Sequence, residues 1–282
     1  MNVRAVVLCF VVCASACGRP PAVVRMATTT SVEDSGLLPE ILPAFERETR
    51  LKVDVVAAGS GRAITLVRRG DAAVGLTHDP AAEADPVSSG ALVGYTKIMF
   101  NDFVIAGPPV DAAGVRRASS APDAFARIAE SGALFASRGD GSGTYSREQQ
   151  LWSHAKRRPL GDRLIDTGQG MGGTLRVASE RGAYTLTDRA TFERSRSALH
   201  LDLLYEGGAD LVNTYAIFVR AGLDGSERTN AEALVRWLAD GAGRREVTAF
   251  SERHGRVFTV WPADAPRHDP ADTPALDIAH AR

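Results

Sequence analysis

The sequence of 282 residues has almost no cysteine. Cys9, Cys13 and Cys17 fall within the first seventeen residues and none follows. That excludes a disulfide framework and a thiolate metal site from the rest of the chain. A thiol-free body is also safe in an oxidising compartment. An excess of charge is missing too: 33 Lys and Arg against 34 Asp and Glu give a net charge of −1. A nucleic-acid binder normally shows a basic face, so that class is set aside. No apolar run is long enough to cross a bilayer; the one at 5–12 is too short. His154, His200 and His254 stand alone, without the His-x-x-x-His spacing of a metal site. No Gly-x-Ser-x-Gly elbow is present, and no histidine sits with an acid as a triad requires. Neither a resident metal, a cofactor nor catalysis is expected. Repeats and coiled-coil heptads are absent as well.

The chain does have a recognisable start. Arg4 precedes the apolar run, and Ala14-Ser15-Ala16-Cys17 follows it. Ala-Ser-Ala suits cleavage of a secreted precursor. The same residues resemble a bacterial lipobox, with Cys17 the lipidated residue, although Ala14 stands where leucine is usual. Residues 1–17 are therefore expected to be a leader and 18–25 a tether. The expected location is the periplasm or the outer face of the membrane, with a lipid anchor through Cys17 as the only membrane contact.

Beyond the tether, strand and helix signals alternate. Residues 23–27 read as a short buried strand running into Thr28-Thr29-Thr30-Ser31. Helix-period apolar residues occupy 37–48, with a kink expected at Pro43. A strand at 51–58 leads into Gly59-Ser60-Gly61 and a helix at 62–69. A strand at 72–76 ends at Thr77-His78-Asp79-Pro80. This alternation predicts a parallel α/β sheet, whose ligands bind beyond the carboxyl ends of the strands. All three small-polar loops would lie on that edge. Further on, 98–107 is a long apolar stretch suited to crossing between lobes, and 205–219 would cross back. Trp152, Trp237 and Trp261 read as core anchors. Residues 263–282, rich in Pro, Asp, His and Ala, are expected to be disordered.

The most telling stretch is 137–144, Ser-Arg-Gly-Asp-Gly-Ser-Gly-Thr. Arg138 supplies a fixed fork of donors and a charge that does not titrate. Asp140 is placed to orient that fork, since a carboxylate facing an anion would repel it. The glycines let backbone N–H groups approach a ligand, and Ser142 and Thr144 add hydroxyls. A helix at 145–152 would put this loop at a helix N-terminus, a natural anion site.

Thr-Thr-Thr-Ser at 28–31, Asn-Asp-Phe-Val-Ile at 101–105, the 137–144 octet, Gly-Gln-Gly-Met-Gly at 168–172 and Ala-Tyr-Thr-Leu-Thr-Asp-Arg at 183–189 together resemble the tungstate-binding proteins of ABC transporters. The resemblance covers about 26–262. It implies a two-lobed periplasmic-binding-protein fold of the second type, with two hinge strands and an inter-lobe ligand cleft. The first lobe would be 26–100 with 204–262, the second 101–203. Ligand contacts would come from Thr29, Thr30, Ser31, Ser60 and Gly61 on the first lobe, and from Arg138, Ser142, Gly143 and Thr144 on the second. Gly172 and Thr185 follow from loop position alone. His78 and Asp140 would stand behind them. The implied partners are a tetrahedral oxyanion, tungstate or molybdate, and a permease with its ATPase; the protein itself would be a monomer. Two alternatives stay open. Phosphate-binding proteins carry a similar Arg-x-Asp-Gly-Ser-Gly-Thr loop, with an Asp near the place of His78, so Asp79 is a possible acceptor for a protonated ion. An anion-sensing periplasmic domain is the other. Arg189 would either line the cleft or pair with Asp188.

Overall fold

The computed structural model describes residues 21–270. The expected leader with Cys17, the first residues of the tether and residues 271–282 lie outside the described residues. In chain order, β1 (Val23–Thr29) runs into α1 (Thr30–Ser35) and α2 (Leu37–Thr49). β2 (Lys52–Ala58), α3 (Ser60–Arg69), β3 (Val74–Thr77), α4 (Pro80–Ser88) and the long β4 (Leu92–Gly107) follow. Next come α5 (Ala121–Ser131), β5 (Phe135–Ser137), α6 (Gly143–Ala155), β6 (Leu164–Asp166), α7 (Met171–Arg181), β7 (Thr185–Asp188), α8 (Arg189–Ser195) and β8 (Asp202–Glu206). β9 (Val212–Arg220), α9 (Gly225–Ala239), α10 (Ala242–Arg253) and β10 (Thr259–Val260) complete the sequence of elements.

The first lobe's sheet has the order β10-β4-β9-β3-β1-β2. β1 pairs parallel with both β2 and β3, as the strand–helix alternation predicts. α2 buries Leu38, Ile41, Leu42 and Phe45 against the sheet, with Pro43 inside the helix. Trp237 on α9 meets Phe45 edge-on at 5.5 Å. The second lobe has its own core, in which Phe125, Phe135 and Trp152 pack together.

β4 belongs to both lobes. Its pairing with β9 ends at Asp102↔Val212, and its pairing with β7 begins one residue later at Phe103↔Asp188. The crossing point is thus fixed at Asp102–Phe103. The return crossing differs from the expectation. β8 still pairs with β4 in the second lobe, through Val104↔Glu206 and Ile105↔Tyr205, and β9 starts only at Val212. The first lobe therefore resumes near 212 rather than 204. Gly207 and Gly208 make this break, at φ 85 and 91, a backbone region that side chains disfavour. An apolar run read without its pairing partners hides that interruption.

The tail also needs correction. Residues 263–270, expected to be disordered, are held along β4. Lys97 N–H donates to the Arg267 carbonyl at 2.8 Å, the His268 ring lies 3.0 Å from the Tyr95 carbonyl, and Arg267 pairs with Asp240 at 2.8 Å. β10 covers only Met99 and Phe100 of this edge. The backbone just before it needs partners, and the tail supplies them despite its weak apolar content.

Candidate anion-binding site

The ends of β1, β2 and β5 face one another across the lobes; β1 and β2 run almost directly into helices, and β5 reaches α6 through the 138–142 loop. Thr29 caps α1 by accepting from Val32 N–H at 3.2 Å. Gly59 precedes α3 and Ser142 precedes α6. The first N–H groups of a helix have no acceptor within it, and the helix dipole adds partial positive charge there. The geometry thus favours negative charge before any side chain is considered.

Arg138 is 1% exposed. Its Nε donates to Asp140 Oδ2 at 3.1 Å, and Nη2 meets the same oxygen. The fork then reaches the other lobe: Nη1 donates to Ser31 Oγ at 3.0 Å and Nη2 to Thr30 Oγ1 at 3.1 Å. Asp140 also accepts from Ser142 N–H through Oδ1, so both its oxygens are engaged. A second bridge between lobes runs from Gly143 N–H to Ser60 Oγ at 3.2 Å. A Cβ at Gly143 would meet the His78 carbonyl oxygen at 2.8 Å, so the missing side chain is what lets the lobes meet here.

The direction of these bonds decides what the cleft can hold. Thr29, Thr30, Ser31, Ser60 and Ser142 each accept a hydrogen bond through the hydroxyl oxygen. Thr144 Oγ1 is buried with no partner. Among the described residues none of these six hydroxyls donates. Each O–H is thus uncommitted, and two of the hydroxyls, those of Thr30 and Ser31, bond the Arg138 guanidinium. Thr28, by contrast, donates to the Leu76 carbonyl and is structural.

Two expected contacts are not brought to this cluster. Gly172 gives its N–H to Asp34 Oδ2 of α1 at 3.1 Å, a cross-lobe cap on α7. Thr185 donates to the Ala136 carbonyl at 2.9 Å, inside the second lobe. Loop position alone does not reveal where a donor points, so both assignments are withdrawn. Gly61 lies at the second position of α3 with open space beside it, where its N–H faces outward from the helix start.

His78 is buried on the hinge, its ring 5.0 Å from Tyr215. Asn213 donates to Asn101 Oδ1 and Tyr215 Oη, both at 2.8 Å. Its carbonyl oxygen therefore faces His78 Nδ1, at 2.9 Å, and Nδ1 carries the proton. Burial and then the Arg138 charge push the His78 pKa down to about 4, so the ring is neutral at physiological pH. Asp79 caps α4 at Ala82 N–H. It lines a cavity of about 280 Å³ beyond Gly143, shared with Ser146, Arg147 and Gln150. Burial raises its pKa, opposed by the α4 N–H groups and Arg147. Arg189 pairs with Asp102 at 2.6 Å and with Glu206, bracing the hinge rather than meeting Asp188.

Sequence reasoning missed the supports beneath the loops. Glu148 of α6 accepts from Ser137 Oγ at 2.8 Å and Trp152 Nε1 at 3.1 Å, fixing the strand end that carries Arg138. Glu83 of α4 does the same for the His78 turn, accepting from Thr77 Oγ1 at 2.6 Å and Asp79 N–H at 2.9 Å. Nothing in the sequence around either glutamate marks it, because the strand-end hydroxyls they hold, on Ser137 and Thr77, lie eleven and six residues away.

The two-lobed arrangement agrees with the comparisons to known proteins. The model of the family described as a PBP superfamily domain matches residues 16–241. The chain belongs to the PBP superfamily. It is 37% identical over 218 residues to the tungstate-binding protein TupA of Peptoclostridium acidaminophilum, covering 76% of each chain. A putative ABC transporter anion-binding protein of Haloferax volcanii is 43% identical over 182 residues, covering 64% of this chain and 53% of that protein, so the match spans about half the length of that relative. Among solved structures, the tungstate ABC transporter from Geobacter sulfurreducens is 38% identical with a TM-score of 0.73, covering 80% of this chain and 98% of the other. The fold is thus that of a type 2 periplasmic binding protein, and these relatives are binding and transport proteins rather than enzymes.

Proposed function

We propose that this chain is the solute-binding component of an ABC importer and that its cleft takes a tetrahedral oxyanion, tungstate, with molybdate the near competitor. The observation that carries this reading is the polarity of the hydroxyl cluster. Six hydroxyls with uncommitted O–H groups stand on the loops that meet between the lobes, and two of them bond the buried Arg138 guanidinium. Tungstate and molybdate are dianions without a proton at neutral pH, so they need donors alone. Hydrogen bonds to a charged group are worth about 1.5–3 kcal/mol each, and a desolvated dianion requires several of them. Asp140 is consumed by Arg138 and Ser142, and Asp79 faces the Arg147 cavity. Neither of these two is left to accept the proton of monohydrogen phosphate, which would need an acceptor elsewhere in the cleft.

In this reading Thr29, Thr30, Ser31, Ser60 and Gly61 bind from one lobe, and Arg138, Ser142, Gly143 and Thr144 from the other. Closure of the lobes completes the shell, and the closed form is presented to a permease with its ATPase. The protein acts as a monomer in the periplasm or on the outer face of the membrane, tethered through Cys17. Isothermal titration calorimetry of the chain without residues 1–17, against tungstate, molybdate, phosphate and sulfate, tests this. Tungstate and molybdate are expected far ahead of the other two. Phosphate ahead, or no binding at all, would overturn the assignment.

A further inference from the structure

Asp188 ends β7 and caps α8, and it is fully buried. One carboxyl oxygen, Oδ1, accepts from Thr191 N–H at 2.9 Å. The other, Oδ2, is buried with no hydrogen-bond partner. The neighbouring cation does not serve it, because Arg189 is turned to Asp102 and Glu206. A buried carboxylate with one bare oxygen is costly, yet its place in the fold is at the cleft. Asp188 is the register partner of Phe103 at the hinge. Thr191, which it caps, donates to the Ser31 carbonyl at 3.5 Å, and Ser31 Oγ receives Arg138.

We infer that Asp188 is a specificity-determining residue of the cleft: it takes up a proton from solvent when the oxyanion binds, and its Oδ2–H becomes a further donor to the ion. This rests on the oxyanion reading above. The proton resides on Oδ2, no other bond changes, and on release of the ion it returns to solvent. A bare carboxylate beside a dianion repels it, whereas a carboxylic acid offers the one kind of group that an unprotonated oxyanion requires. Monohydrogen phosphate brings its own proton and would meet the ionised carboxylate instead, so the same residue gives opposite proton counts for the two ions.

The groups around Asp188 agree with this. Burial is the largest influence on Asp188, raising its pKa to about 6; the N–H and hydroxyl of Thr191 and then the Arg138 charge favour ionisation, and Asp34 from α1 opposes it. Tyr215 of β9 is buried with a pKa raised well above its ordinary value, so it stays protonated. His78, packed on Phe103 and Tyr215, is neutral. Arg189, on the same helix, is neutralised by its own two carboxylates. An incoming dianion is the one change that shifts this balance, and it shifts it towards the acid.

The test is calorimetric titration of tungstate into the protein in buffers of different ionisation enthalpy, between about pH 6 and pH 8. Wild type is expected to take up close to one proton per tungstate at the upper end, with affinity falling up to about tenfold per pH unit. Asp188→Asn keeps the helix cap and carries a permanent N–H donor. It is expected to bind with no proton uptake and no pH dependence over this range. A merely structural role would leave the proton count unchanged. Tungstate binding by wild type without proton uptake, or uptake that persists in Asp188→Asn, would overturn the inference while leaving the tungstate reading intact. Absence of tungstate binding by wild type at every pH would overturn the reading itself.

Discussion

Replacing Arg138 by Ala removes a guanidinium that is 1% exposed and makes bonds to Asp140, Thr30 and Ser31. Two losses add together. The dianion loses the one cation bonded into the hydroxyl cluster, and Asp140 is left facing the cleft with only the Ser142 N–H to satisfy it. Truncating one partner of a buried, hydrogen-bonded charge pair costs about 2–5 kcal/mol. At 1.4 kcal/mol per tenfold, that is a loss of affinity on the order of 30- to 4,000-fold. Arg138→Lys keeps the charge but not the planar fork, so it cannot hold Asp140, Thr30 and Ser31 together and should fall between. Arg220→Ala is the control. Arg220 ends β9, packs beside Gly70 and donates to the Ala221 carbonyl, away from the hydroxyl cluster. Calorimetry with tungstate at low and high ionic strength separates site from surface, since a desolvated contact is screened little. Losses below about threefold in both Arg138→Ala and Arg220→Ala would refute the placement of the ion at Arg138.

Gly143→Ala should weaken oxyanion binding by interfering with closure, because the added methyl meets the His78 carbonyl of the opposite lobe at 2.8 Å. Thermal unfolding without ligand should change little, and tungstate titration should report the loss; unchanged affinity would show that closure tolerates the methyl. Glu148 is held at a pKa of about 7, chiefly by burial, against an ordinary value of 4.5. From pH 4.5 to 7 the folded chain keeps a proton that the unfolded chain releases, so stability falls as pH rises through this window and levels off above it. The decline from this group is on the order of 3 kcal/mol. Urea unfolding at several pH values should show a shallower decline in Glu148→Gln, the remainder coming from Glu83, also at about 7, and from Asp188 and Asp79, with His78 acting in the opposite sense; identical slopes would refute it.

Much of this protein is determined by local sequence. Alternating apolar strands and amphipathic helices fix the parallel pairing of β1 with β2 and β3, while the pairings of β4 and β9 are antiparallel, and glycine-rich turns before helices fix loops at the strand ends, because these depend on residues within a few positions of one another. Thr29–Ser31, Ser60 and the 137–144 octet were legible for that reason. Direction was not. Whether a hydroxyl donates or accepts depends on what the other lobe presents, so Thr30 and Ser31 became partners of Arg138, while Thr185 spent its proton on Ala136 and Gly172 its N–H on Asp34. The return crossing moved to Gly207-Gly208 because strand pairing, not apolarity, assigns a segment to a lobe. Arg189 turned to Asp102 and Glu206, and Asp188 was left with a bare buried oxygen. Charge and burial act through space, and only the folded chain sets those distances.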